Sequence, residues 1–138
     1  MGIENNMQEY VVALSKFPDW FSKYDYLLSV ACAMDPFPDE LRIEENLVKG
    51  CQTKTWIYAR KDAESENLCW FADSDSMLVK GVLGIVIDII SGCNVSEISK
   101  INTDFLKDTG ISENFETNRN IGMQSIFDRI HWLVFDNK

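Results

Sequence analysis

The chain has 138 residues, near the commonest size for one folded unit, and 46% of them are hydrophobic, with four Trp and eight Phe, a composition that excludes a disordered tail. Its net charge is −9, from 22 acidic and 13 basic residues, so its field repels nucleic-acid phosphates and anionic lipid, and neither nucleic acid nor a membrane is an expected partner. No stretch approaches the ~20 uninterrupted apolar residues of a spanning helix; the opening MGIENNMQEY lacks the basic start and apolar run of a secretory signal, which makes a reducing cytoplasm the expected compartment.

Asn5 or Asn6 can cap a first helix running to about Lys16, with Met7, Val11, Leu14 and Phe17 at helical spacing and Pro18 ending it. Asp19 caps a second, WFSKYDYLLSVACAM, whose stripe of Phe21, Tyr24, Leu28 and Cys32 is expected to face inward. DPFPDELRIEEN, with two prolines and several acids, reads as a surface connection with at most one helical turn. Thr53 to Arg60 and Asn67 to Asp73 are rich in aromatic and β-branched residues around the polar KDAESE, the pattern of an antiparallel hairpin. A third strand fits around Leu47 and Val48. Trp56 is expected to anchor the hairpin against the helices.

DSDSMLVKGVLGIVIDIISG opens with capping residues, closes at Gly92, and is apolar almost all round its axis, which predicts a central buried helix whose Gly81 and Gly84 admit another backbone. Asn94 with Glu97 resembles a capping box, Thr103 to Lys107 with Gly110 behind a short helix. The last helix begins near Thr117 or Asn118, with Met123, Ile126, Phe127, Ile130, Leu133 and Val134 facing the core. The order predicts a single α+β domain over residues 1–138, helices packed on one face of a small antiparallel sheet of about three strands.

Cys32, Cys51, Cys69 and Cys93 include no C-x-x-C, and with the single His131 they offer no local zinc spacing. Disulfides are not expected in a reducing compartment. Cys69 shares a strand face with Phe71, and Cys93 follows Gly92 at a helix exit; both read as structural. Cys51 has two readings: a small buried hydrophobe, as free cysteine commonly is, or a nucleophile at a loop-to-strand corner, where Gly50 marks a tight backbone and Lys49 and Lys54 would lower the thiol's pKa.

VKGCQTKTW, FADSDSMLVKGVLGIV and NRNIGMQSI together resemble the SufE family of sulfur-acceptor proteins, which includes CsdE-like members; the resemblance runs from about Leu47 to Ile130. It implies a sulfur relay. Cys51 would take the outer sulfur from the persulfide of a PLP-dependent cysteine desulfurase, stimulate that enzyme, and pass the sulfur to an iron–sulfur assembly scaffold, with no metal or organic cofactor of its own. It further implies that Gly50, Gln52, Asp73, Ser74, Asp75 and Arg119 orient the Cys51 loop and dock the desulfurase. Helix capping competes as the reading for the aspartates, and an ion pair to one of them for Arg119. Ala72 and Ile121 depart from the family pattern. The resulting molecule is a sulfurtransferase-like carrier rather than a stand-alone enzyme, with its thiol partly shielded in the free state. Two alternatives are an IscU-type scaffold holding an iron–sulfur cluster or zinc, which needs several cysteines to converge, and a non-catalytic adaptor that regulates a desulfurase.

Overall fold

A computed structural model describes residues 2–51, 53–64, 67–111 and 117–136, the side chains of 117–122 excepted. Helix α1 (Ile3–Ser15) starts at Gly2, ahead of the asparagines expected to cap it. Its first turn is satisfied from a distance: the Ile3 amide donates to Glu97 Oε2 at 3.0 Å, a carboxylate at the positive helix end. Asn6 instead donates its side-chain amide to the Ile89 carbonyl at 2.9 Å.

Helix α2 (Trp20–Ala33) is capped by Asp19, whose Oδ1 accepts from the Ser22 amide at 2.8 Å. Its inward face differs from the expected stripe. Leu27 and Ala31 are buried, while Phe21 is 73% exposed and Cys32 is exposed. The cause is α3 (Met77–Ile90), which lies against α2 so closely that a Cβ on Gly81 would collide with the Leu27 carbonyl. That contact selects which face of α2, apolar on several sides, turns inward. Ser76 caps α3, its Oγ accepting from the Val79 amide at 3.3 Å.

Strands β1 (Thr55–Lys61) and β2 (Leu68–Ser74) pair antiparallel with Thr55 opposite Ser74 and Lys61 opposite Leu68. The third strand reduces to a bridge between Leu47 and Trp56, with the Val48 amide donating to the Thr55 carbonyl at 2.8 Å. It cannot extend, because Gly50 takes φ 96° and turns the chain away. The architecture is α+β as expected, on a sheet that among the described residues has two strands rather than three.

Ile57, Ala59, Leu68, Trp70 and Ala72 are buried in the main core, with α3 packed on β2 and α6 (Thr117–Asp136) on β1. Trp56 is buried too, but on the opposite face: its ring centroid is 6.3 Å from that of Phe37, and the Arg42 guanidinium stands 4.9 Å above it. The connection carrying Phe37 and Arg42 therefore covers the second face of the sheet, and it winds into two single 3-10 turns, at Asp39–Leu41 and Glu44–Asn46, rather than the one turn at most that the sequence suggests.

The core is built mainly from Val82, Leu83, Ile85, Val86, Ile89 and Ile90 of α3 and the expected stripe of α6, each such side chain contributing about 1.5–3 kcal/mol by leaving water. The short helices α4 (Val95–Ile98) and α5 (Asp104–Thr109) close it, the second ending at left-handed Gly110. Asn94 Oδ1 accepts from the Glu97 amide at 2.8 Å, half of the anticipated box, the Glu97 carboxylate having gone to α1. Among the described residues no helix is long and apolar enough to cross a membrane.

Candidate functional site

The corner before β1 holds Cys51. Val48 is tied to Thr55, the chain reverses at Gly50, and the loop lies against α6: a Cβ on Gly50 would fall 2.5 Å from Ser125 Oγ. Cys51 is half-buried, packs against the core, and opens into a cavity of about 370 Å³ lined by Glu44, Leu47, Val48, Lys49, Thr53 and Lys54. The thiol is partly shielded, as expected.

Its acidity runs opposite to the expectation. Burial pushes the Cys51 thiol up, and a hydrogen bond with Thr55 offsets part of that rise. Lys49 and Lys54 are both exposed, where water screens their charge. The free protein therefore favours the protonated thiol at neutral pH.

Asp73, on the face of β2 opposite the main core, gathers three donors. Arg42 Nη2 reaches its Oδ2 at 2.6 Å, Lys80 Nζ its Oδ1 at 3.2 Å, and the Ser74 amide its Oδ1 at 2.8 Å. Burial alone would raise this carboxyl, but those donors outweigh it and hold it below the usual aspartate range. Ser74 is buried, its Oγ 3.0 Å from Thr55 Oγ1 and accepting from the Ser76 amide at 3.2 Å. Asp75 is exposed, and its amide donates to the Lys54 carbonyl at 2.9 Å. Ser76, not an aspartate, caps α3. The three residues thus divide: Ser74 faces the Cys51 side through Thr55, Asp73 faces away, and Asp75 closes the hairpin.

Among the described residues the arginine beside Asp73 is Arg42, which the sequence places in a surface connection without singling it out. Its guanidinium also lies 5.2 Å from the Phe37 ring centroid; the readable signal was a cation shortly after a Pro-flanked phenylalanine and ahead of a strand tryptophan, too weak to rank alone. The side chains of Arg119 and Ile121, and Gln52 entirely, lie outside the described residues.

The cysteines do not converge. Cys32 is exposed on α2, Cys69 is half-buried beside Phe71 on β2, and Cys93 is buried with its Sγ 3.4 Å from the Ile89 carbonyl. Among the described residues no group of three or more His, Cys, Asp or Glu side chains is placed to hold a metal ion.

Known proteins are similar to this chain. A family model, SufE, described as an Fe-S metabolism associated domain, matches residues 8–134. An uncharacterized SufE-like protein of Rhizobium meliloti (strain 1021) is 32% identical over 115 residues, covering 81% of this chain and 82% of that protein. A protein named cysteine desulfuration protein SufE, from Wigglesworthia glossinidia brevipalpis, is 30% identical over 89 residues, covering 64% of this chain and 61% of its own length. The solution structure of a hypothetical protein from Thermus thermophilus superposes with a TM-score of 0.79 at 18% identity, over 96% of this chain and 95% of the other, a likeness of fold. With the family match spanning nearly the whole sequence, from the first helix to the last, the chain belongs to the SufE family.

Proposed function

We propose that this chain is a sulfur acceptor acting with a PLP-dependent cysteine desulfurase, with Cys51 as the residue that carries the sulfur. The observation that carries the reading is the placement of Cys51: a thiol at a glycine turn, half-buried, yet opening into a cavity large enough for a partner's side chain. The family membership and the name of the Wigglesworthia relative support the desulfurase as donor.

The chemistry is thiol exchange at sulfane sulfur. The Cys51 sulfur attacks the outer sulfur of the desulfurase persulfide; a new S–S bond forms on Cys51 as the old one breaks, and its electron pair leaves on the desulfurase cysteine. That cysteine takes up the proton that Cys51 gives up, so the step is redox-neutral and needs no outside oxidant. A thiol of an iron–sulfur assembly scaffold then attacks the Cys51 persulfide in the same way.

Half-burial serves this role twice. It keeps a persulfide from small thiols and oxidants, and by keeping the free thiol protonated it delays attack until docking changes the loop's surroundings. Gly50, Gln52, Asp73, Ser74, Asp75 and Arg119 are proposed to orient the loop and meet the partner. The whole chain acts as one domain, in the cytoplasm, as a carrier rather than a stand-alone enzyme.

The test is transfer from a desulfurase charged with radiolabelled cysteine: label moves to the wild-type chain and not to Cys51→Ser. Undiminished label in Cys51→Ser overturns the proposal. Full stimulation of the desulfurase by Cys51→Ser makes the chain a regulating adaptor instead, and stoichiometric iron or zinc in anaerobically purified protein makes it a scaffold.

A further inference from the structure

A hydroxyl chain runs from the start of α3 to the Cys51 sulfur. Thr55 and Ser74 face each other across the hairpin. The Thr55 carbonyl is turned outward to the Val48 amide, so this is a non-hydrogen-bonded pair, the kind that brings side chains closest. Both are buried, Thr55 completely, with Oγ1 and Oγ 3.0 Å apart.

Either hydroxyl of the pair can donate to the other, and Ser74 Oγ also accepts from the Ser76 amide; the orientation that reaches the sulfur has Ser74 donating to Thr55 Oγ1. Thr55 is then left with a proton to donate, and two acceptors within reach. One is the Thr53 carbonyl at 3.4 Å, beyond the good range for an O–H donor. The other is the sulfur of Cys51, with which Thr55 is hydrogen-bonded. When the sulfur carries a negative charge, the charge-assisted bond is the stronger of the two, and the proton turns to it.

We propose that Thr55, held in orientation by Ser74, is the positioning residue that donates a hydrogen bond to the Cys51 thiolate as it forms. The loop's half-burial opposes ionisation, and exposed Lys49 and Lys54 do little against it. A buried donor fixed from behind requires no reorganisation when the charge develops. The hairpin register, by setting Thr55 opposite Ser74, thereby reaches the sulfur. The catalytic meaning of this donor rests on the sulfur-acceptor reading, but its existence is measurable without any partner.

The experiment is the pH profile of Cys51 alkylation, read by peptide mass mapping on the purified protein alone, for wild type, Thr55→Val, Thr55→Ser and Ser74→Ala. Thr55→Val keeps the shape and loses the donor; its profile moves to higher pH, and the rate near neutrality falls about tenfold, the effect of one modest hydrogen bond to a charged group. Thr55→Ser restores the wild-type profile, and Ser74→Ala lies between. A merely structural role gives the opposite sign, since a loosened loop exposes the thiol and alkylation speeds up. An unshifted profile in Thr55→Val, faster alkylation, or failure of Thr55→Ser to rescue overturns the inference; should Thr55→Val fail to fold, an unshifted Ser74→Ala profile does so. The parent reading fails separately, if Cys51 accepts no sulfur from a desulfurase while the Thr55→Val profile still shifts.

Discussion

Replacing Gly50 with alanine bears directly on what holds the thiol in its half-buried place. At φ 96°, a residue with a Cβ stores about 1–3 kcal/mol of backbone strain. The added methyl would also lie 2.5 Å from Ser125 Oγ and 3.4 Å from its Cβ. The second distance is ordinary contact; the first is not, so the hydroxyl must rotate and disturb the polar interaction Ser125 makes, at about 1 kcal/mol. Together the two terms amount to about 2–4 kcal/mol. The loop can escape both by lifting off α6, so the effect falls on local opening rather than on global unfolding. Cys51 alkylation by a small reagent should accelerate at least about tenfold, with the urea midpoint moving little. In a Ser125→Ala background only the dihedral part remains, and the acceleration should shrink. An unchanged alkylation rate in Gly50→Ala would refute the argument that this turn seats the thiol. An acceleration that Ser125→Ala leaves untouched would refute the contact with α6.

Three further outcomes are expected. Gly81→Ala drives a methyl into the Leu27 carbonyl, a backbone atom that cannot rotate away; it should lower stability by about 3 kcal/mol in urea unfolding, whereas a loss under about 0.5 kcal/mol would mean that α2 and α3 are not in close contact. Asp73→Asn should lower stability by about 2 kcal/mol at neutral pH, by weakening the bonds from Arg42 and Lys80. Because the folded carboxyl is held below its ordinary value, that contribution is fully present above the unfolded aspartate pKa and is lost as pH falls through the folded one; the gap between wild type and variant should close in acid, and a gap that widens there contradicts the assignment. Glu97→Ala should cost about 1 kcal/mol, as loss of a helix cap does, and should raise exchange of the first-turn amides of α1, including Ile3.

Much of this architecture was legible because single residues decide it locally. Asp19 starts a helix by its own side chain, and the isoleucines and valines around α3 require an interior position whatever packs on them. What was not legible depended on partners distant in sequence. The phase of α2 could not be read, because a helix apolar on several faces leaves the choice to the neighbour, and the neighbour is Gly81. Trp56 was set on the wrong face because alternation divides a strand into two sides without naming which is covered; here both are, one by helices and one by Phe37 and Arg42. Glu97 looked local to α4 and serves α1. The third strand failed at Gly50, the residue that also makes the Cys51 corner.

The site divides along the same line. Its position, at a glycine turn before a strand, is written in the order Gly50-Cys51. Its electrostatics are not: a charge nearby in sequence counts only if it is close in space and out of water, and Lys49 and Lys54 are exposed, while the group that touches the sulfur, Thr55, is uncharged. Arg42 is the converse case, a cation in an acidic loop whose role is set by the aromatic pair beneath it and by Asp73.

The central claim is that Cys51 carries sulfur as covalent cargo. Intact-mass and peptide mapping of the chain, after reaction with a cysteine desulfurase, PLP and cysteine under anaerobic conditions, measures this directly. The account predicts a reducible gain of one sulfur atom on the Cys51 peptide and none on the peptides holding Cys32, Cys69 or Cys93. A Cys51 peptide that stays at its unmodified mass while the desulfurase turns over contradicts it.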